Sequence, residues 1–209
     1  MQAKLETQFA FPSELITSYQ EMPLPEGFKI NLGAKPDNKT FQITAKPVLY
    51  TAHLPRVLDW LHGLDQPSLL EKEPCDTPVL LFDKALSFER LLFHYDGTPA
   101  SAKIIKHFLH LFSVNIQESK ATIISPAFIP KSKLKEEQEI IQEVADHTAE
   151  TSFIKFNFDR IGDFWSYAVK HQKTLLVTTK NNQSDLAKVL FHFYKGGLWY
   201  DKLSFYLAL

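Results

Sequence analysis

"LLFHYDGTPASAKIIKHFLHLF", residues 91–112, changes its hydrophobic period in the middle, and the rest of the chain is read from that change. The stretch opens as a continuous apolar run of strand length. From Pro99 on, Ile104, Ile105, Phe108, Leu109 and Phe112 fall at the spacing of one helical face. Between them stands Asp96-Gly97-Thr98-Pro99. Asp96 or Thr98 can cap the free amides of a helix, and Pro99 suits a first helical position, where its missing N–H leaves nothing unsatisfied. The whole reads as strand, acidic turn and helix, the opening of a βα unit.

The alternation continues to the end of the chain. Strands are expected over 90–95, 121–125, 153–158, 174–179 and 203–209, and helices over 99–112, 134–149, 161–170 and 185–194. The second helix is expected to bury Ile141, Val144, Ala145 and Thr148. "LLF" and "TLLVT" are apolar enough to be buried on both faces, whereas "SFIKFNF" puts Lys155 and Asn157 on one side and belongs nearer an edge. Right-handed βαβ crossovers then predict an α/β fold: an open, doubly wound, parallel five-stranded sheet of order 3-2-1-4-5 with helices on both faces. Its switch point lies between the first and fourth strands.

The first part of the chain is different. Nine of its 12 prolines precede residue 83, which makes long helices scarce there. Short pieces are expected: a helix over 13–19, strands over 28–32 and 41–44, then "KPVLYTA", a helix over 54–62 and a strand in "TPVLLF".

Composition narrows the function classes. With 209 residues, 44% hydrophobic and 17 Phe, the chain can bury a real core. A net charge of -1 gives no global field for nucleic acid or an anionic membrane. The single Cys75 excludes an intramolecular disulfide and a cysteine metal cluster. No signal-like segment and no bilayer-length apolar run is present, so the expected location is the cytoplasm.

"ERLLFHYDGTPASAKIIKHFLHLF" resembles the opening of a universal stress protein domain, "KTLLVTTKNNQSDLAKVLFHF" its fourth strand, loop and last helix, and "LSFYLAL" its closing strand. "LPRVLDWLHGLDQPSLLEKEPCDTPVLLF" resembles the end of another such domain. The resemblance implies a tandem arrangement: a shortened, degenerate repeat over 1–82, a truncated α/β half, followed by a complete domain over 87–209.

In nucleotide-binding members of that family, resemblance assigns Asp96 to the adenosine part and Ser125 to a wall of the base. The phosphates would lie on a loop of form Gly-x-x-Gly, nine residues, then Gly-Ser or Gly-Thr. Here those positions fall on Thr179, Asn182, His192 and Phe193, and in the first repeat on Tyr50, His53, Gly63 and Leu64. The added Cβ atoms oppose the close backbone approach that phosphate requires, although Asn181 and Asn182 can still offer amides from a left-handed backbone.

Other constellations read as structural. His107 and His110 share a helix face with Lys103 and Lys106, which would repel a metal, so that face is expected to be solvated. His94 beside Asp96 is expected to serve the fold. The charge run Lys133, Lys135, Glu136, Glu137 and Glu139 is expected to face water. No nucleophile elbow, zinc spacing or Walker loop occurs, so no enzyme is expected.

The resulting expectation is a universal-stress-like protein without ATP, acting through protein contacts in a stress or regulatory response. The alternative is a sensor of ATP or another adenine nucleotide through Asp96, Gly97, Thr98, Ser125, Thr179, Asn181 and Asn182. Leu203, Phe205 and Leu207 mark the closing strand as an edge that pairs with a second copy, giving a homodimer, or with "TPVLLF", giving an intrachain pseudodimer.

Overall fold

The computed structural model describes residues 16–19, 48–62, 77–83, 86–157, 161–179 and 203–207. Their element order is β1 (Ile16–Tyr19), β2 (Leu49–His53), α1 (Leu54–His62), β3 (Val79–Phe82), β4 (Arg90–His94), α2 (Pro99–Leu111), β5 (Lys120–Ser125), α3 (Leu134–His147), β6 (Glu150–Lys155), α4 (Ile161–Lys170), β7 (Leu175–Thr178) and β8 (Ser204–Leu207). The expected segments at 28–32, 41–44 and 185–194 lie outside the described residues. Residues 16–19 form a strand where a helix was expected, because they pair antiparallel with β2, Ile16 opposite Ala52 and Tyr19 opposite Leu49.

The eight strands among the described residues form one mixed sheet in the order β1-β2-β3-β8-β7-β4-β5-β6. From β8 to β6 every pairing is parallel. These five parallel strands keep the expected order 3-2-1-4-5, as β6-β5-β4-β7-β8, but the sheet is not open at its fifth strand, because β8 is not an edge. It pairs parallel with β7 on one side and antiparallel with β3 on the other, Leu80 opposite Tyr206. A fully buried apolar strand with one row of unpaired amides would be unstable in water, and "TPVLLF" supplies the missing partners.

The pleat divides the core into two layers. Leu91 and Phe93 of β4, Ala121 and Ile123 of β5, Leu175 and Val177 of β7 and Tyr206 of β8 share one cluster with Ile104, Ile105, Phe108 and Leu109 of α2 and Ile140 and Val144 of α3. On the other face α4 lays Phe164 against His94, centroids 4.7 Å apart, and Trp165 flat on Phe205 at 6.0 Å. The buried stripe of α3 runs through Glu137, Ile140 and Val144, while Ala145 is exposed and Ile141 and Thr148 are half-buried. The expected stripe is thus displaced, because an acidic residue occupies the inner face. No described helix is long and apolar enough to cross a membrane.

α2 starts as its residues dictate: Thr98 has extended backbone and its side chain accepts from the Ser101 N–H, with Pro99 in the first turn. The junction between the first and second parts of the chain is the β3–β8 seam, where Leu80 and Phe205 are fully buried. Leu80→Ala is therefore expected to cost about 2–5 kcal/mol in urea denaturation. Ser152→Ala, on an exposed position of β6, should stay within about 0.5 kcal/mol.

Candidate functional site

The carboxyl ends of β4, β5 and β7 form the crevice at the switch point, where ligands of open α/β sheets bind. Asp96 lies there, two residues past β4. Its Oδ1 accepts from the Thr98 N–H at 2.9 Å and from the Thr98 hydroxyl at 2.6 Å. Burial pushes the Asp96 carboxyl upward, but the hydrogen bonds from Ser101 and Thr98 outweigh it and hold the group below its ordinary range. The carboxylate therefore organises the start of α2. Gly97 takes a φ of +78°, and Ile129 lies over it, 3.7 Å from where a Cβ would stand.

Ser125, at the end of β5, is fully buried. Its hydroxyl donates to Glu137 Oε1, and Lys155 at the end of β6 donates to the same oxygen. Lys155 Nζ also lies 3.4 Å from Ser125 Oγ. The Glu137 side chain is only 5% exposed and that of Lys155 33%, so one ion pair reaches from the crevice to its rim. Next to it the Tyr95 hydroxyl donates to Glu136 Oε2 at 3.3 Å, and Lys133 donates to the same oxygen at 3.0 Å. Burial, then the negative field of Glu136, pushes the Tyr95 phenol well up.

On the α4 side, His94 Nδ1 meets Thr178 Oγ1 at 3.2 Å while its ring packs on Phe164. Burial lowers the His94 pKa against the opposing pull of Asp96 and so favours the neutral imidazole. Thr179 is 1% exposed, and its hydroxyl has no hydrogen-bond partner among the described residues.

Of the candidate nucleotide residues, the structure brings together Asp96, Gly97, Thr98, Ser125 and Thr179 at one end of the sheet. Asn181 and Asn182 lie outside the described residues, as does Gly63. Tyr50 and His53 are not on a loop: both belong to β2, and α1 begins at the next residue, Leu54. The candidate interface residues Leu203, Phe205 and Leu207 are buried, the last two inside β8 with strands on both sides.

Three polar groupings were not foreseen. Glu137 is buried rather than solvated, because Ser125 and Lys155 meet its carboxylate. His107 is half-buried, its Nδ1 2.7 Å from the hydroxyl of buried Tyr206. Burial, then His110 and Lys103, lowers its pKa. His53 Nε2 lies 3.5 Å from Asp83 Oδ1 at the ends of β2 and β3. The one sequence signal for the first was the acidic residue four before Ile141 and seven before Val144, on a helical face otherwise apolar. Among the described residues no group of three or more His, Cys, Asp or Glu could hold a metal ion.

No family model matches the chain, and no curated protein does. Among solved structures, a universal stress protein in complex with cAMP is 12% identical with a TM-score of 0.36, covering 44% of this chain and 73% of that one. A Mycobacterium tuberculosis H37Rv protein is 11% identical with a TM-score of 0.35, covering 44% and 71%. A universal stress family protein from Burkholderia pseudomallei is 13% identical with a TM-score of 0.34, covering 50% and 89%. The similarity is distant and extends over about half of the chain.

The buried pair makes an asymmetric prediction. Lys155→Met leaves the Glu137 carboxylate buried without a cation and should cost about 3–5 kcal/mol by chemical denaturation. Glu137→Gln leaves a lysine able to turn to water and should cost about 1–3 kcal/mol. Thr98→Ala should cost about 1 kcal/mol by removing the cap of α2. Asp96 is held below its ordinary pKa, so its contribution is complete above the unfolded value of 3.8 and disappears as pH falls through the lower folded value. Acid titration of Asp96→Asn should therefore lack that part of the wild-type stability loss.

Proposed function

We propose that the chain is a universal-stress-like module that does without ATP and acts through protein contacts in a stress or regulatory response. The observation that carries this reading is the filling of the crevice by the chain's own groups. Asp96 is committed to Thr98, Ser125 to Glu137 and Lys155, His94 lies under Phe164, and Ile129 covers Gly97. A ribose hydroxyl and a base would each have to displace an internal hydrogen bond or an ion pair. At the same end of the sheet Phe128 is 89% exposed, on a loop tied down by the bond from Ala127 N–H to Asn157 Oδ1 at 2.9 Å. An ordered, exposed aromatic ring suits protein contact.

The tandem organisation belongs to the same reading. β2–α1–β3 and the segment from β7 to β8 are two parallel strand pairs whose partners are 29 residues apart in both cases, Tyr50 opposite Val79 and Leu175 opposite Ser204. The antiparallel β3–β8 pairing supports reading them as halves of an intrachain pseudodimer. The reading as a divergent adenine nucleotide sensor is favoured by one observation, the buried and unpartnered Thr179 hydroxyl at the end of β7.

Calorimetric titration with ATP and with cAMP separates the two. The proposal expects no saturable heat at micromolar concentrations, and micromolar binding of either nucleotide would establish the sensor instead. Light scattering should give the mass of one chain, since β8 already has both neighbours; a dimer in which β3 amides exchange freely while β8 amides stay protected would contradict the pseudodimer.

A further inference from the structure

The opposite end of the sheet carries a buried lysine. Lys173 follows α4 through a left-handed Gln172, φ 51°, and its N–H bonds to the Ala168 carbonyl at 2.8 Å. The residue is 8% exposed and its Nζ donates to Thr122 Oγ1 at 2.5 Å, across the sheet on β5. Thr122 is itself buried. Lys106, Lys120, Lys133, Lys135 and Lys155 each meet a carboxylate within 4 Å, whereas Lys173 meets none among the described residues.

The charged groups that bear on Lys173 come from two elements. Arg90 opens β4 and is the nearby cation, and Glu150 opens β6 with its carboxylate held by Lys120 at 2.9 Å. Thr174, the next residue, fixes Arg90: its N–H bonds to the Arg90 carbonyl at 2.8 Å and its Oγ1 accepts from the Arg90 N–H at 3.0 Å. The backbones that carry the two basic side chains are therefore joined at one junction, and the half-exposed Arg90 side chain has its Nε 3.6 Å from the exposed Glu89 carboxylate. Burial, then Arg90, lowers the Lys173 ammonium to about 8 against the opposing pull of Glu150. A lysine buried beside a second cation and lacking a counter-ion is the arrangement that frees an amine for nucleophilic attack near neutral pH.

We propose that Lys173 is a nucleophilic amine that forms a reversible imine with a small aldehyde or ketone bearing a carboxylate or phosphate, the anionic group being held by Arg90. The Nζ lone pair attacks the carbonyl carbon, and the carbonyl oxygen takes the proton that the nitrogen gives up. Loss of water from the carbinolamine leaves the C=N bond, and hydrolysis restores both partners, so no oxidant or reductant takes part. Thr122, in hydrogen-bond contact with Nζ, is the hydroxyl placed to carry that proton. The narrow exposure of Lys173 favours a small, flat carbonyl compound, and the guanidinium suits a forked anionic group.

The test is reductive trapping on the full chain. Pyridoxal 5′-phosphate at substoichiometric concentration, followed by borohydride and peptide mapping, is expected to mark Lys173 several-fold faster than the exposed Lys103, Lys131 and Lys135. Its rate should rise through a midpoint near pH 8. Pyridoxal without the phosphate should react more slowly, and Arg90→Gln should abolish that difference between the two reagents. Thr122→Val, which keeps the volume, should slow trapping several-fold. Equal or slower labelling of Lys173 than of the exposed lysines overturns the proposal. So does a rate that still climbs towards pH 10.5, the ordinary lysine value. A second readout needs no reagent: a folded-state pKa below the unfolded one makes stability rise between about pH 8 and 10.5, a rise that Lys173→Met removes. A flat wild-type profile in that window also overturns it.

Discussion

Antiparallel pairing of β3 with β8 is the constraint on which the remaining structure depends. β8 is buried throughout, with Phe205 and Tyr206 at 0% exposure, so it cannot end a sheet in water. Without β3 its outer amides would stand unpaired beside an apolar surface, which is the condition for aggregation. With β3 in place, backbone groups more than a hundred residues apart in sequence satisfy one another, and β1 and β2 extend the same sheet. The ordering cost of that long closure grows only slowly with loop length, whereas every added pair removes two polar groups from an apolar setting.

The same economy of polar groups explains the crevice. At the carboxyl ends of β4 and β5 the carboxylates and hydroxyls are met by side chains of α3, β6 and the α2 cap. Ser125, Glu137 and Lys155 form one such set, Asp96, Thr98 and Ser101 another. Buried ion pairs add little net stability over apolar packing but are costly to break singly, so a filled crevice of this kind resists opening. At the other end of the sheet Lys173 has no carboxylate within 4 Å among the described residues, and the contrast between the two ends is what gives that lysine its chemical interest.

What could be read from residues alone follows the range of the forces involved. α2 was legible to within a residue because its cap, its Pro99 and its apolar stripe are all local. β4 and β7 were legible as central strands because burial on both faces writes itself as a continuous apolar run. Residues 16–19 were misread as a helix because their strand conformation comes from β2, more than thirty residues away. For β8 the residues left two partners open, a second copy or "TPVLLF", because nothing within "LSFYLAL" specifies one; the structure pairs it with "TPVLLF". In α3 the buried stripe was displaced because Glu137 looks solvated unless Lys155 and Ser125 are known to meet it. His107 likewise looked solvated, since its partner Tyr206 is on a distant strand.

Native-state amide hydrogen exchange tests the seam most directly, because it reports opening free energy residue by residue. If β3 and β8 form the centre of one cooperative sheet, amides of Leu80, Phe205 and Leu207 exchange only by global unfolding, with the same free energy as those of β4. Exchange of β3 at a markedly lower free energy than β4, with β8 amides becoming labile at the same time, would contradict the account. The first part of the chain would then be a detachable cover rather than half of the fold.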